Sequence, residues 1–519
     1  MQVKNICILG GGTAGFGISS MLARYKEISG LDFGIKVVHS EEIGRIGVGE
    51  STLININDFF GYLGLRDSDW MSKCNATYKT SLKFTDFYKK ETEFYYPFGR
   101  IDPKVDVSKW FVSKDLYPGL FTQDRAGLYF IPSSILSLRN KLTDQLTGKG
   151  FDFDSSTAYH FDAHLVGNFL KEYSEKRGVE VIDDKFYGTE QDKYGNIESI
   201  VCDNGSYRAD LFIDCSGFKS LLLGKAMMEK YVPFSDTLIN NKVLRAKIPY
   251  KNKEKELNSL TESVALNNGW CWHIPLWNHM SVGYVHTNQF ATEEEIEQEF
   301  FEHVGEVEYE TLTFRTGRYD RAWVKNVVAL GLSYGFIEPL ESNGISSTIK
   351  NFFSLTEQLF KRDLYVTQVD RDIFNNKVGN ENIDPLRTMV ELHYILSLRN
   401  DTDYWRYTTE VINWFSSNKS GFSYETFLKD VSIDRSYPIE NHLYPSHLFT
   451  AAGNDYSFIP KDAIINPIGR QDIINQFNIQ PLEFQGQLEQ LEAFAKSLPS
   501  TYKFLSETIY NHESKEGIA

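Results

Sequence analysis

The stretch Val3-Lys4-Asn5-Ile6-Cys7-Ile8-Leu9 runs straight into Gly10-Gly11-Gly12-Thr13-Ala14-Gly15. Its first seven residues are mostly apolar, the pattern of a buried strand. From Phe16 to Tyr25 the apolar residues fall at helical spacing, and Ile35-Lys36-Val37-Val38 reads as a second strand. Gly10, Gly12 and Gly15 therefore form a GxGxxG turn between a strand and a helix. In such a turn the first glycine permits the tight bend and the second lets backbone approach a pyrophosphate. The third brings helix and strand together. The helix N-terminus adds N–H donors and a partial positive charge, so Thr13 and Ala14 count as cofactor contacts with the glycines. An acidic residue normally ends the second strand and binds the ribose. Here that position is His39, with Glu41 and Glu42 just beyond. An imidazole also hydrogen-bonds a hydroxyl. No second fingerprint for a nicotinamide dinucleotide is present, so a flavin held here would receive its electrons from elsewhere.

The remaining composition narrows the function classes. The chain has 519 residues, 41% of them hydrophobic and 24% charged, the balance of a large globular enzyme. Its formal net charge of -16, with no long Lys/Arg run, argues against nucleic acid or an anionic membrane as partner. No apolar run reaches membrane-spanning length. Cys7, Cys74, Cys202, Cys215 and Cys271 are scattered and odd in number, without a CxxC. The eleven histidines show no HExxH-type spacing. The expectation is no disulfide framework, no metal, no signal peptide and a cytoplasmic protein. Aromatic residues at 14% suit a pocket for a flat ligand as well as a core.

Along the chain, residues 55–145 read as short strands mixed with loops, and Phe161 to Lys176 as a helix. Residues 179–182, 197–201 and 209–214 read as strands, and 240–320 as sheet. Val327-Val328-Ala329-Leu330-Gly331 is another apolar strand ending on glycine, and the pattern turns helical after about 345. Strands returning to glycine turns at Gly10, Gly217 and Gly331 predict one α/β sheet assembled from separated segments.

Asn268-Gly269-Trp270-Cys271-Trp272-His273-Ile274-Pro275 places two tryptophans one residue apart, on one face of a strand. They either fill a core or wall off a chamber. Four further segments bear on the choice: Gly47-Val48-Gly49-Glu50-Ser51-Thr52, Ala76-Thr77-Tyr78-Lys79, Tyr159-His160-Phe161-Asp162-Ala163 and Gly335-Phe336-Ile337-Glu338-Pro339-Leu340-Glu341-Ser342-Asn343-Gly344-Ile345. With WxWxIP at 270–275 and FxxPxxSxG at Phe336, Pro339, Ser342 and Gly344, the chain resembles the flavin-dependent halogenases of the tryptophan-halogenase family over nearly its whole length.

The resemblance implies an α/β fold: an FAD-binding Rossmann-type, glutathione-reductase-like module over residues 1–345. Its FAD segments lie near 1–55, 150–230 and 320–350, interleaved with a mixed substrate sheet. A mostly helical region, 346–519, covers the substrate. It implies FAD, supplied as FADH2 by a separate flavin reductase, together with O2 and a halide ion. Gly49, Glu50, Ser51, Gly217, Gly331 and Ile345 join the glycine turn as cofactor residues, and Asn343 and Gly344 hold the halide. Lys79 receives hypohalous acid, by hydrogen bonding or as a haloamine. Glu341 stabilises the cationic arene and assists proton removal, with Glu338 the rival carboxylate. Trp270, Trp272 and Pro275 keep substrate from the flavin. The substrate pocket also includes Pro97 and Phe98.

Two departures from the tryptophan-specific pattern stand out. Tyr96-Pro97-Phe98 replaces a His-Pro-Phe, and the stretch from Leu443 to Asp455 lacks a clear match to residues that grip the amino acid portion of tryptophan. An indole without that portion, or a phenol, is expected, with bromide or iodide accepted as well as chloride. A homo-oligomer is left open. The rival readings are a monooxygenase or reductase of the same fold, and a flavin-binding homologue without turnover. Neither requires WxWxIP together with Lys79.

Overall fold

A computed structural model describes residues 1–43, 49–99, 127–145, 152–395, 397–415 and 481–511, with single positions between 113 and 121. The chain divides into two units, each drawn from three segments. Unit one comprises Met1–Thr77, Tyr159–Arg245 and Thr311–Thr388; unit two comprises Tyr78–Ala158, Ala246–Glu310 and Met389–Ala519.

Unit one is built on a six-stranded sheet ordered Trp323–Val324, Val327–Ala329, Leu211–Asp214, Asn5–Leu9, Gly34–His39 and Glu180–Asp183. All neighbours run parallel except the first pair. Ile6, Cys7 and Ile8 are fully buried, as a strand covered on both faces demands. The helix Thr13–Ser29 starts at Gly12 and stops at Gly30, which takes the left-handed conformation at φ 72°. The second helix spans Ala163–Glu175. Phe161 and Asp162 belong instead to the preceding strand Ala158–Asp162, and the Asp162 carboxylate accepts from the His164 and Leu165 amides at 2.9 and 3.2 Å. A strong N-cap, rather than apolar spacing, sets that boundary.

Unit two centres on a sheet in which Met280–His286, Gly269–Pro275, Leu260–Ala265, Ser81–Thr85 and Glu93–Pro97 are successive neighbours. The pairings are antiparallel except Leu260–Ala265 with Ser81–Thr85. Two expectations are corrected. The 240–320 region is not all sheet, because a helix spans Glu293–Val304, opened by a capping box between Thr292 and Glu295. Residues 55–145 also contain helices, at Ile56–Leu63 and Pro132–Leu138. In the first of these Ile56, Phe59, Phe60 and Leu63 form one buried stripe at helical spacing.

In unit two Arg399 fastens the end of the strand Leu260–Ala265, where the chain turns toward the tryptophan strand. Its buried guanidinium donates to the Ala265 and Leu266 carbonyls at 3.2 and 3.3 Å, pairs with Asp401 and lies 4.6 Å over Trp405. Beyond 345 the described elements are predominantly helices, including Asn343–Phe360, Asp384–Ile395, Asp403–Phe415 and Pro481–Ser497. Leu443 to Asp455 lies outside the described residues, as do Gly47 and Val48. Among the described residues, no helix is long and apolar enough to cross a membrane.

Candidate active site

The glycine turn meets the demands of a dinucleotide cradle one position at a time. Gly10 sits at φ 119°, where a side chain would be strained, and a Cβ there would collide with the Cys215 carbonyl. A Cβ on Gly15 would strike the Gly10 carbonyl oxygen, so this glycine sets the helix-to-strand distance. At Gly12 a Cβ would meet nothing within 4 Å, which leaves open the space a pyrophosphate needs. Gly217 and Gly331 close two neighbouring strand ends with φ of 69° and 59°, and Gly331 lies against Ala14. The Asp214 carboxylate shapes the loop at Gly217. It accepts from the Ser216, Leu222 and Leu223 amides at 3.0, 2.8 and 2.9 Å. His39 ends its strand buried, its ring centroid 5.5 Å from that of Phe16 in an edge-to-face arrangement and its Cβ close to Gly11. Thr13 donates through its hydroxyl to the Ala163 carbonyl at 3.4 Å. The residues present fit FAD.

The second part of unit one is the turn Pro339–Glu341 leading into the helix Asn343–Phe360. Between them Ser342 adopts φ 58°, ψ 31°, a left-handed conformation unusual for a residue with a side chain. Its hydroxyl donates to Ser51 Oγ at 2.9 Å, tying this turn to the strand Gly49–Ser51. Glu341 and Asn343 are both 1% exposed. The Asn343 Nδ2 donor has no hydrogen-bond partner among the described residues, and a Cβ on Gly344 would meet nothing within 4 Å. A buried donor beside open space at a helix N-terminus is suited to an anion. Ile345 follows in the helix's first turn, half-buried. Glu338, the rival carboxylate, is fully buried and accepts from Asn240 Nδ2 at 2.7 Å.

Glu50 lies opposite Phe161 in the register, beside the Gly49–Asp162 pair. Burial, reinforced by the Asp162 charge, pushes its carboxyl up to about 7. The folded state therefore holds a proton that the unfolded chain has released between its ordinary value of 4.5 and about 7. Stability from this group is fully present below that window and is lost as pH rises through it. The Glu50→Gln variant cannot ionise. Its thermal midpoint relative to the parent is expected to be higher at pH 8 than at pH 4, measured by scanning calorimetry on FAD-free protein.

Lys79 ends the strand Thr77–Lys79 and is 0% exposed, among the largest fully buried side chains of the protein. Its Nζ stands 5.1 Å from the ring centroid of Phe98, within the range of a cation–π contact. Phe98 is itself buried, its amide donating to the Thr80 carbonyl at 2.8 Å, and Pro97 is registered against Ser81. Lysine is rarely buried without purpose, because desolvating an ammonium is costly.

Trp270 and Trp272 stand on the strand Gly269–Pro275 with ring centroids 6.1 Å apart, and both are buried. Gly283 is registered opposite Trp272, and any Cβ there would enter the indole. The neighbouring strand thus gives up a side chain to seat this ring. The Trp272 indole N–H has no partner among the described residues.

These features have parallels in known proteins. Residues 5–417 match the family described as Tryptophan halogenase. The chain belongs to the tryptophan halogenase family. It is 33% identical over 433 residues to a tryptophan 7-halogenase of Lentzea aerocolonigenes, covering 79% of each chain. Among solved structures, VirX1 in its apo form aligns over 98% of this chain and 100% of that one, at 34% identity and a TM-score of 0.86. Tar14, a tryptophan C-6 flavin-dependent chlorinase, aligns over 97% and 99% at 29% identity and a TM-score of 0.79. As a family member the chain is a flavin-dependent halogenase, an oxidoreductase that requires FAD and uses a halide. Its fold is that of the solved family members, a Rossmann-type FAD module within an α/β protein.

Sequence reasoning assigned no role to Asp214 or Asn240. Asp214 stands in the sequence only as the last residue of the strand read over 209–214. Asn240 carried no local signal, because its partner Glu338 lies far along the chain.

Proposed function

We propose that this chain halogenates an electron-rich aromatic, an indole or phenol lacking the amino acid portion of tryptophan. Bromide or iodide serve as well as chloride, and a separate reductase supplies FADH2. The single observation that carries this reading is a wholly buried lysine with its amine against an aromatic ring. When bound, reduced FAD supplies with O2 the oxidising equivalent that converts halide to hypohalous acid.

The protein's own groups do the rest. The Asn343 amide and the Gly344 N–H offer donors to the halide, which would be costly to bury bare. Gly49, Glu50 and Ser51 lie along the cofactor. Trp270, Trp272 and Pro275 separate the arene from the cofactor. The Lys79 ammonium holds and polarises the hypohalous acid by hydrogen bonding, or its amine takes up the halogen. An arene carbon then attacks the halogen, and the Glu341 carboxylate stabilises the resulting cation and accepts its proton. The substitution of Tyr96 for histidine and the departure in the 443–455 stretch support an arene without the amino acid portion.

The test is a mixed panel of indoles, phenols and free tryptophan. FAD, a flavin reductase and air are supplied, with chloride, bromide or iodide given separately, and products are read by mass spectrometry. Halogenated indole or phenol is the expected product. Hydroxylated product alone would favour a monooxygenase, and halogenated tryptophan alone would refute the substrate class. In the same assay Glu341→Gln is expected to lower kcat by about 100-fold with little change in KM, because the carboxylate acts mainly on the transition state.

A further inference from the structure

The WxWxIP motif leaves two positions unspecified, and here they hold Cys271 and His273. Alternation along the strand turns both away from the tryptophan face. His303, near the end of the helix Glu293–Val304 in the same unit, comes to meet them. The thiol sulfur, one nitrogen of each imidazole and no other described donor form a group whose atoms all lie within 4.8 Å of one another. The imidazole rings stand 5.0 Å apart, edge to face.

We propose that Cys271, His273 and His303 bind one divalent d-block cation of borderline softness, Zn2+ in the first instance. One thiolate with two imidazoles is a donor set that such ions prefer over the hard cations Mg2+ and Ca2+. The set leaves a fourth position for water or a nearby carboxylate.

Three observations support the site. His273 Nδ1 and His303 Nε2 are buried and have no hydrogen-bond partner among the described residues. Neither nitrogen is otherwise accounted for, and a cation would satisfy both. The surroundings favour positive charge. The Lys83 ammonium is matched by Glu93 at 2.9 Å and Glu262 at 3.0 Å, and Glu299 stands one turn before His303 on the helix. Finally, Glu262 is registered directly across from His273, within reach as an outer partner.

The geometry needs only a small adjustment. Zinc bonds of about 2.0–2.3 Å set tetrahedral donors roughly 3.3–3.8 Å apart, so side-chain rotation of about 1 Å closes the group. Binding would release the Cys271 thiol proton to solvent. The inference replaces the expectation of no metal. It is independent of the halogenation chemistry, since none of the three donors is assigned to it.

The test uses the full chain with FAD, dialysed against EDTA and then titrated with Zn2+, Co2+ or Cu2+. One equivalent of Zn2+ should bind and raise the thermal midpoint. Co2+ should give a thiolate-to-metal charge-transfer band and the visible spectrum of a tetrahedral ion. His303→Ala, on a half-exposed helix position, should fold normally yet weaken binding by at least about tenfold. Cys271→Ser should abolish the charge-transfer band. A thiolate–copper band without Zn2+ binding would keep the site and reassign the ion. The absence of any bound equivalent in the parent protein would overturn the proposal. So would undiminished binding in His303→Ala.

Discussion

Lys79→Ala is expected to lower arene halogenation by at least about 10³-fold while FAD binding stays within about twofold of the parent. The magnitude follows from removing a group that both holds the oxidant and polarises it, each effect being worth roughly 10²-fold or more. Because Lys79 is fully buried, alanine also leaves a cavity, and loss of activity alone would not separate chemistry from packing. Lys79→Met resolves this. It keeps the apolar stem against Phe98 and removes only the amine. Both variants are expected to be inactive, with near-native far-ultraviolet circular dichroism and a parent-like flavin spectrum after FAD loading. Near-parental turnover by Lys79→Met would remove the amine from the mechanism.

The second large effect is a contrast between Gly12 and Gly15, two glycines of one turn with different roles. Gly12→Val introduces a side chain where the protein itself offers no obstacle and where Gly12 already has an extended backbone at φ −82°. The fold should persist, with a thermal midpoint close to the parent when FAD is absent. FAD affinity should fall by about tenfold to 100-fold, since overpacking a tight contact costs roughly 1–3 kcal/mol. Gly15→Val, by contrast, drives its Cβ into the Gly10 carbonyl and should prevent stable folding. Fluorescence titration of flavin and thermal melts of the same preparations measure both halves. Equal FAD affinity in Gly12→Val and parent would mean that the cofactor does not pass over this turn.

Much of the FAD module was legible because its signals are local. The glycine turn, its flanking strand and its helix are contiguous, and each glycine's role follows from backbone geometry alone. The Glu293–Val304 helix was equally local: Thr292 and Glu295 form a capping box ahead of its apolar positions. The strands on either side dominate the pattern of the region and mask it. The stripe Ile56, Phe59, Phe60 and Leu63 is likewise local, but it is only two turns long inside a region whose pattern reads as short strands and loops. Glu338 illustrates a different limit. In its buried position it accepts from Asn240, in a segment far removed in sequence, and no nearby pattern announces such a partner. The Cys271, His273 and His303 group lies beyond spacing rules for the same reason: a strand supplies two donors and a distant helix the third.

Under the proposed function, one chain makes an oxidant at its flavin and consumes it at Lys79. The most direct measurement supplies Lys79→Met with FAD, reductase, O2 and bromide, together with an activated diketone that traps free hypobromous acid. The predicted result is bromide-dependent bromination of the trap with no bromination of the arene substrate, whereas the parent brominates the arene. Arene bromination by Lys79→Met at the parental rate would contradict the claim.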